Sequence, residues 1–264
     1  MPVILHLTDT HLYADPERRL KGIDTLASFK AVLKKARKQF PKPDAVILGG
    51  DLAQDEAAAT YRKLHKLLAD WPVPFLVTPG NHANLNRLKT ELLQPLLQHR
   101  RHESDLLLGG WQVIALNTHD SGKVAGKLGK TELERLDALL DNARGKHALV
   151  ALHHHPHPVG SRWIDEIPLD NAGDFWTVIR RHPQVRGVLF GHVHQEFDGD
   201  YEGIRLFGSP STCVQFAPRI DDFALDEQSP GYRWLELLPD GGINTGVERI
   251  TGFIPPDLND NGFY

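Results

Sequence analysis

The side chains best suited to chemistry are acids, imidazoles and one amide, and they fall where predicted strands end. Asp9 and His11 follow Val3–Leu7. Asp51 follows Ala45–Leu48 after Gly49-Gly50. Asn81 and His82 follow Pro74–Val77 after Pro79-Gly80. His153, His154 and His155 follow Ala148–Leu152, and His192 and His194 follow Val185–Phe190 after Gly191. In α/β sheets the ligand crevice lies outside the carboxyl ends of the strands, so five strand ends converge on one place. Asp and His with one Asn and no Cys suit Mn, Fe, Zn or Co rather than Cu(I) or a thiolate zinc. Seven ligands from these positions are too many for one tetrahedral ion. They suit two ions sharing a bridging carboxylate, a clamp for displacement at phosphorus with a metal-activated hydroxide as nucleophile. The two-residue spacings of Asp9/His11 and His192/His194 put both side chains on one side if the chain is extended there. Glycine before Asp51, Asn81 and His192 fits a backbone that must turn sharply.

Taken singly, each pair has an ordinary reading. Asp9/His11 and Gly80-Asn81-His82 would pass as turns, and His6, His65, His102, His147 and His182 read as hydrogen-bonded core residues. Jointly the ordinary reading fails, because it must explain five strand ends each closed by the right donor type. Asp55-Glu56 reads as the acidic first turn of a helix, and Lys34–Lys38 as a solvated helix end. Cys213 reads as buried and inert. Trp163 and Ile164, in the loop after the histidine run, either line a substrate mouth or staple the loop.

The elements that must position these residues follow from periodicity. Short apolar runs alternate with amphipathic stretches, the pattern of an α/β protein. Helices are expected from Thr25, as N-cap, to about Phe40, then over Asp55–Leu68, Thr131–Leu140 and Asn171–Arg180. Strands are expected at the sites named above and at Trp111–Leu116. Beyond Gly191 only strands are expected: Ile204–Phe207, Thr212–Phe216, Tyr232–Leu237 and Ile243–Arg249. The last two form a hairpin through Asp240-Gly241-Gly242. The tail 255–264 reads as an irregular strap. One domain spanning 1–264 is expected, with two sheets packed face to face and helices outside.

Composition narrows the function classes. The chain has 264 residues, 15 His, one Cys and a net charge of −4. No intrachain disulfide can form, and the charge has the wrong sign for gripping a nucleic-acid backbone. No 18-residue apolar run is present, and the N-terminus opens directly on a strand rather than a signal peptide, so a cytoplasmic enzyme with no membrane or nucleic-acid partner is expected.

The motif series Asp9-Thr10-His11, Gly50-Asp51, Gly80-Asn81-His82, His153-His154 and Gly191-His192-Val193-His194 resembles the calcineurin-like metallophosphoesterase superfamily. All five blocks stand in the expected order. The segments Thr8–Leu12, Gly50–Asp55, His153–Pro156 and Ser211–Phe216 resemble more closely the bacterial class III 3',5'-cyclic AMP phosphodiesterases of the CpdA (Icc) type. The resemblance implies a four-layer αββα sandwich of two mixed β-sheets flanked by helices, and two divalent metal ions. It implies that Asp9, His11 and His194 hold the first ion, that Asn81, one histidine of the run and His192 hold the second, and that Asp51 bridges them. His82 would bind no metal and would face the phosphate. His11, Asp51, Asn81, His82 and His194 would contact substrate, with His82 and Asp51 catalytic. The family's His-His-Pro-Pro-x-Pro string overlays His153–Pro158 with His153 as the ligand, the register taken here. Anchoring on His-His-Pro selects His154 instead. Where many members carry an acid after the Asn-His pair, this chain has Ala83, so His82 must find another partner.

The implied activity is hydrolysis of 3',5'-cyclic AMP to 5'-AMP. The seven ligand positions alone would equally serve a glycerophosphodiester, a 2',3'-cyclic nucleotide or a nucleotide monoester. A non-catalytic metal-binding protein would need a broken ligand set, and all seven positions are filled.

Overall fold

The computed structural model describes residues 1–98, 104–260 and 262, so His102 lies outside the described residues. Two mixed sheets form. The first has the order β11-β10-β1-β2-β3, from Ile243–Arg249, Gly231–Leu237, Val3–Leu7, Ala45–Leu48 and Phe75–Val77. Its β1, β2 and β3 are parallel, and β10 and β11 run antiparallel. The second has the order β4-β5-β6-β7-β9-β8, from Asp105–Leu108, Trp111–Ala115, His147–Leu152, Val185–Phe190, Ile204–Gly208 and Phe197–Tyr201. Here the four central strands are parallel and the two edges antiparallel.

The strands are near-continuous apolar runs because both faces are buried. Ile4, Ile47 and Leu76 point toward the second sheet and meet Val113, Leu149, Ala151 and Leu189 from it. Their neighbours Leu5, Leu7, Val46 and Leu48 point the other way, onto α1 (Thr25–Gln39) and α2 (Ala58–Leu68). On the far side, Val150, Leu152, Val188 and Phe190 pack under α5 (Lys130–Asn142) and α7 (Ala172–Ile179). The result is the expected helix–sheet–sheet–helix layering. Short helices α3 (Leu85–Leu88), α4 (Gln94–Gln98) and α6 (Arg162–Asp165) stand between.

Several local expectations shift. Asp24, not Thr25, caps α1, its carboxylate accepting the Ala27 N–H at 2.9 Å. Helix α2 starts at Ala58, because Asp55 is occupied as a loop staple, accepting from the N–H groups of Ala14 and Ala57 and from the Thr60 hydroxyl. Thr212–Phe216 is not a strand. Local side chains take its backbone instead: Ser211 Oγ accepts the Cys213 N–H, and Gln215 Nε2 donates to the Ser211 and Cys213 carbonyls. Such bonds compete with a ladder. Strands β4 and β8 and the helical stretch from Leu85 were not expected. The tail is irregular and docked: the Lys21 ammonium donates to Asp260 at 2.9 Å and to the Gly262 carbonyl. Lys35 and Arg37 are not merely solvated, since Lys35 pairs with Glu248 and Arg37 lies over the Trp71 ring.

Candidate metal centre

The carboxyl ends of β1, β2 and β3 meet those of β6 and β7 at one edge of the sandwich, where the expected residues come together. Asp9, His11, Asp51, His153, His192 and His194 are buried, and Asn81 and His82 are half-buried. Ligand-capable atoms of Asp9, His11 and His194 lie within 4.8 Å of one another, as do those of Asp9, Asp51 and His153. Asp51 Oδ2 stands 3.9 Å from His11 Nε2 and 3.4 Å from His153 Nε2, between the two groups. Its other oxygen accepts the His82 backbone N–H at 2.8 Å.

The strand-end pairs converge for a reason other than extended backbone. Asp9, His11, Asp51, His192 and His194 all have positive φ, between 42° and 66°. Left-handed conformations cost a non-glycine residue about 1–3 kcal/mol each and gather where function requires them. The glycines also serve two purposes. Gly50 turns the chain at φ +97°, whereas Gly80 and Gly191 leave room: a Cβ at Gly80 would collide with Asp51 Oδ1, and one at Gly191 with the Thr8 hydroxyl.

Each ligand-capable imidazole has one nitrogen tied to an oxygen behind it. His11 Nδ1 is held by Gln54 Oε1, His153 Nδ1 by the Gly49 carbonyl at 2.6 Å, His192 Nε2 by the Ile167 carbonyl at 3.0 Å, and His194 Nδ1 by the Val214 carbonyl at 2.9 Å. Donating there leaves the lone pair on the other nitrogen, the arrangement metal sites use to orient imidazole. His154 differs. Its Nδ1 meets the Thr118 hydroxyl at 2.8 Å and its Nε2 the Val124 carbonyl at 3.0 Å, so both nitrogens are engaged. His155 pairs with Asp165 at 3.3 Å and lies alongside the His192 ring. His82 brings a ring nitrogen within 4.8 Å of donor atoms of His11 and Asp51, closer to the cluster than a purely phosphate-facing residue needs.

The donor set fits a pair of cations. Asn81 Oδ1 and His153 Nε2 are buried with no hydrogen-bond partner among the described residues. His11 Nε2 and His194 Nε2 face each other at 3.2 Å with both protons assigned elsewhere, a contact a cation between them would relieve. Burial, then the neighbouring His153 and His154, keeps His192 well below the usual imidazole range. Burial, then His153, does the same for His154, and burial lowers His11 to about 3. These rings are therefore neutral; His11 and His192 keep a lone pair for the centre, while both nitrogens of His154 are engaged. For His153 burial acts downward too, but Asp51 and then Asp9 outweigh it and raise it to about 9 in the metal-free chain. Asp51 stays well below the carboxylate range; burial opposes this, and His153 and His82 overcome it.

Sequence reasoning missed the residues behind the imidazoles. Gln54 lies inside a quoted motif without a role, and the carbonyls of Gly49, Ile167 and Val214 carry no side-chain signal. Thr118 and the mouth residues Val124, Ile167, Phe216 and Phe223, which with Trp163 and Ile164 overhang the centre, were also not singled out as site residues.

The sandwich and its edge cluster define a class. Residues 2–196 match the calcineurin-like phosphoesterase family, and the chain belongs to it. That membership implies a dinuclear divalent-metal site. The chain is 38% identical over 253 residues to the "3',5'-cyclic adenosine monophosphate phosphodiesterase CpdA" of Pseudomonas aeruginosa, covering 94% of this chain and 90% of that protein. It is 38% identical over 265 residues to the protein of the same name from Escherichia coli strain K12, covering 98% and 94%. A dimetal phosphatase from Danio rerio shares the fold at 15% identity, with a TM-score of 0.62 over 89% of this chain and 94% of that one. No described helix is long and apolar enough to cross a membrane.

Proposed function

We propose that residues 1–264 act as one metallophosphoesterase domain that hydrolyses 3',5'-cyclic AMP to 5'-AMP. Near-full-length identity to relatives named for that reaction carries this reading. The likeness runs past the family match at residue 196 to 94% or more of the chain, and so includes pocket residues that the metal motifs leave open. Asp9, His11 and His194 would hold one ion, Asn81, His153 and His192 the other, and Asp51 would be shared between them. When bound, ions of the Fe, Mn, Zn or Co kind would lower the pKa of a water so that hydroxide is available near neutral pH, and would offset charge on the phosphoryl oxygens. The hydrogen bonds behind His11, His153, His192 and His194 turn the other ring nitrogen toward the centre, and the backbone N–H of His82 fixes the Asp51 carboxylate. His11, Asp51, Asn81, His82 and His194 all line the cleft over the centre, where substrate must lie. His82 donates a proton to the departing 3' oxygen, because a ribose alkoxide leaves poorly without one.

Metal-reconstituted protein assayed against a panel of phosphoesters tests the reading. The expected result is the highest kcat/KM for 3',5'-cyclic AMP with 5'-AMP as product. Preference for a glycerophosphodiester, a 2',3'-cyclic nucleotide or a nucleotide monoester would overturn it.

A further inference from the structure

The cleft over the metal centre has two unlike arms that share Asn81, His82 and Val124. One, of about 590 Å³, is open and polar, lined by Asn84, Asn86, His119, Ser121 and Lys123. The other, of about 60 Å³, is apolar and walled by Trp163, Ile164, Ile167, Phe216 and Phe223. Its aromatic walls stand on loops and on the four-residue α6 rather than on strands. The two loops are tied together: the Trp163 backbone N–H donates to the Asp221 carbonyl at 3.2 Å, and Ser161 Oγ accepts the Arg219 N–H at 2.8 Å.

The three aromatic rings of this arm have different duties. Phe216 lies flat on His194, with centroids 4.1 Å apart and planes 5° apart, and so braces a proposed ligand. Trp163 meets Phe216 and Phe223 edge to face, at 5.1 Å and 76° and at 5.0 Å and 85°, so neither lies parallel on its indole. Its indole N–H is buried with no acceptor among the described residues. Buried indoles usually find one, as Trp111 does at the Leu238 carbonyl and Trp176 at the Pro156 carbonyl. Trp71 also lacks one, but it packs under Arg37 in the core beside the first sheet, not at the cleft.

We propose that Trp163 is the base-recognition residue. A nucleobase parts the loop-borne walls of the apolar arm and stacks on the indole while the phosphate lies over the centre. The inference rests on the cyclic-nucleotide reading of the site and deepens it. A cyclic nucleotide has one anionic end and one flat, weakly polar end, matching a floor whose residues would hold cations beside an aromatic wall. A glycerophosphodiester has no such second end.

The test compares kcat/KM of the metal-loaded enzyme for 3',5'-cyclic AMP and for base-free ribose 3',5'-cyclic phosphate. Base–aromatic stacking predicts that Trp163→Ala lowers the ratio of the two by roughly 5- to 150-fold. Trp163→Phe, which keeps an aromatic face and loses the N–H, recovers most of that ratio. An unchanged ratio in Trp163→Ala, or an equal fall on both substrates, overturns the assignment and leaves the phosphodiesterase reading intact. A wild-type enzyme that hydrolyses neither cyclic substrate overturns both.

Discussion

At the centre of this molecule a histidine is defined by what stands behind it. His153 and His154 are adjacent and both fully buried, yet His153 leaves Nε2 without a hydrogen-bond partner at the centre while His154 spends both nitrogens on Thr118 and Val124. His153→Ala is therefore expected to empty one of two metal positions, measured by elemental analysis, while His154→Ala retains two ions. The opposite pattern would move the ligand to His154. The same neighbours set the pH behaviour. In metal-free protein His153 is raised to about 9 by Asp51 and Asp9 against the pull of burial, so at pH 7 it carries a proton that a metal must displace. Metal affinity should fall as pH drops below about 9, and the His153 ring should titrate there by NMR. A metal affinity flat between pH 6 and 9 would contradict this. His82 has a different task. His82→Ala should slow cyclic AMP turnover by about 10²–10⁴-fold, and an aryl phosphodiester less, because a nitrophenolate leaves without a proton. Equal losses on both substrates, with one ion missing, would make His82 a ligand instead.

Elements explain why the residue pattern was readable and where it was not. The strands that deliver site residues are buried almost throughout, so their sequences are mostly apolar, broken by His6 in β1 and by His147 and Arg186 near the starts of β6 and β7, and the donor after each stands out. That logic found β1, β2, β3, β6 and β7 and all seven proposed ligands. It failed for the two edge strands of the second sheet, β4 and β8. β8, Phe-Asp-Gly-Asp-Tyr, exposes Asp198 and Asp200 and has no hydrophobic run to find. It failed again at Thr212–Phe216, whose strand-like composition is overruled by Ser211 and Gln215 bonding to the local backbone. The strand-end geometry was also misjudged, because left-handed backbone at a non-glycine residue leaves no mark in composition. Close packing beneath those turns makes its own prediction. Gly80 has an ordinary φ, so alanine there is conformationally tolerable, but its Cβ would strike Asp51 Oδ1 and press on His153 Nε2. Gly80→Ala should fold with wild-type circular dichroism and lose metal. A Gly80→Ala protein with two tightly held ions would show that Asp51 can move aside without cost.

For the whole molecule, the centre is a fastening between layers. Asp9, His11, Asp51 and Asn81 come from strand ends of the first sheet, and His153, His192 and His194 from strand ends of the second. The sheets also meet at that edge through polar links: the His192 N–H donates to Asp9 at 3.2 Å, His153 reaches the Gly49 carbonyl, the Ser211 hydroxyl donates to the Asp9 carbonyl at 2.8 Å, and His6 meets Ser209 at 2.6 Å. Elsewhere the inter-sheet contact is largely apolar, from residues such as Ile47, Leu76, Leu149 and Leu189, with the buried Arg233 donating across to Asp198 and to the Phe197 and Gly208 carbonyls. That packing does not depend on metal, so the metal-free chain should stay folded. Ions that bind the native state alone add stability by mass action, about 4 kcal/mol when free metal is a thousand times its dissociation constant. For a chain of this size each kcal/mol moves the melting temperature by roughly 2–4 °C, so chelation should lower Tm by roughly 8–16 °C. The loss should also be local. Hydrogen exchange should accelerate at the ends of β1, β2, β6 and β7 and in the loops carrying Asn81 and His192, and stay slow in the strand centres. Asp51→Ala, lacking the shared carboxylate, should melt near the chelated wild type and respond little to added Mn²⁺. If chelation left Tm unchanged while activity vanished, the ions would serve the chemistry without joining the sheets.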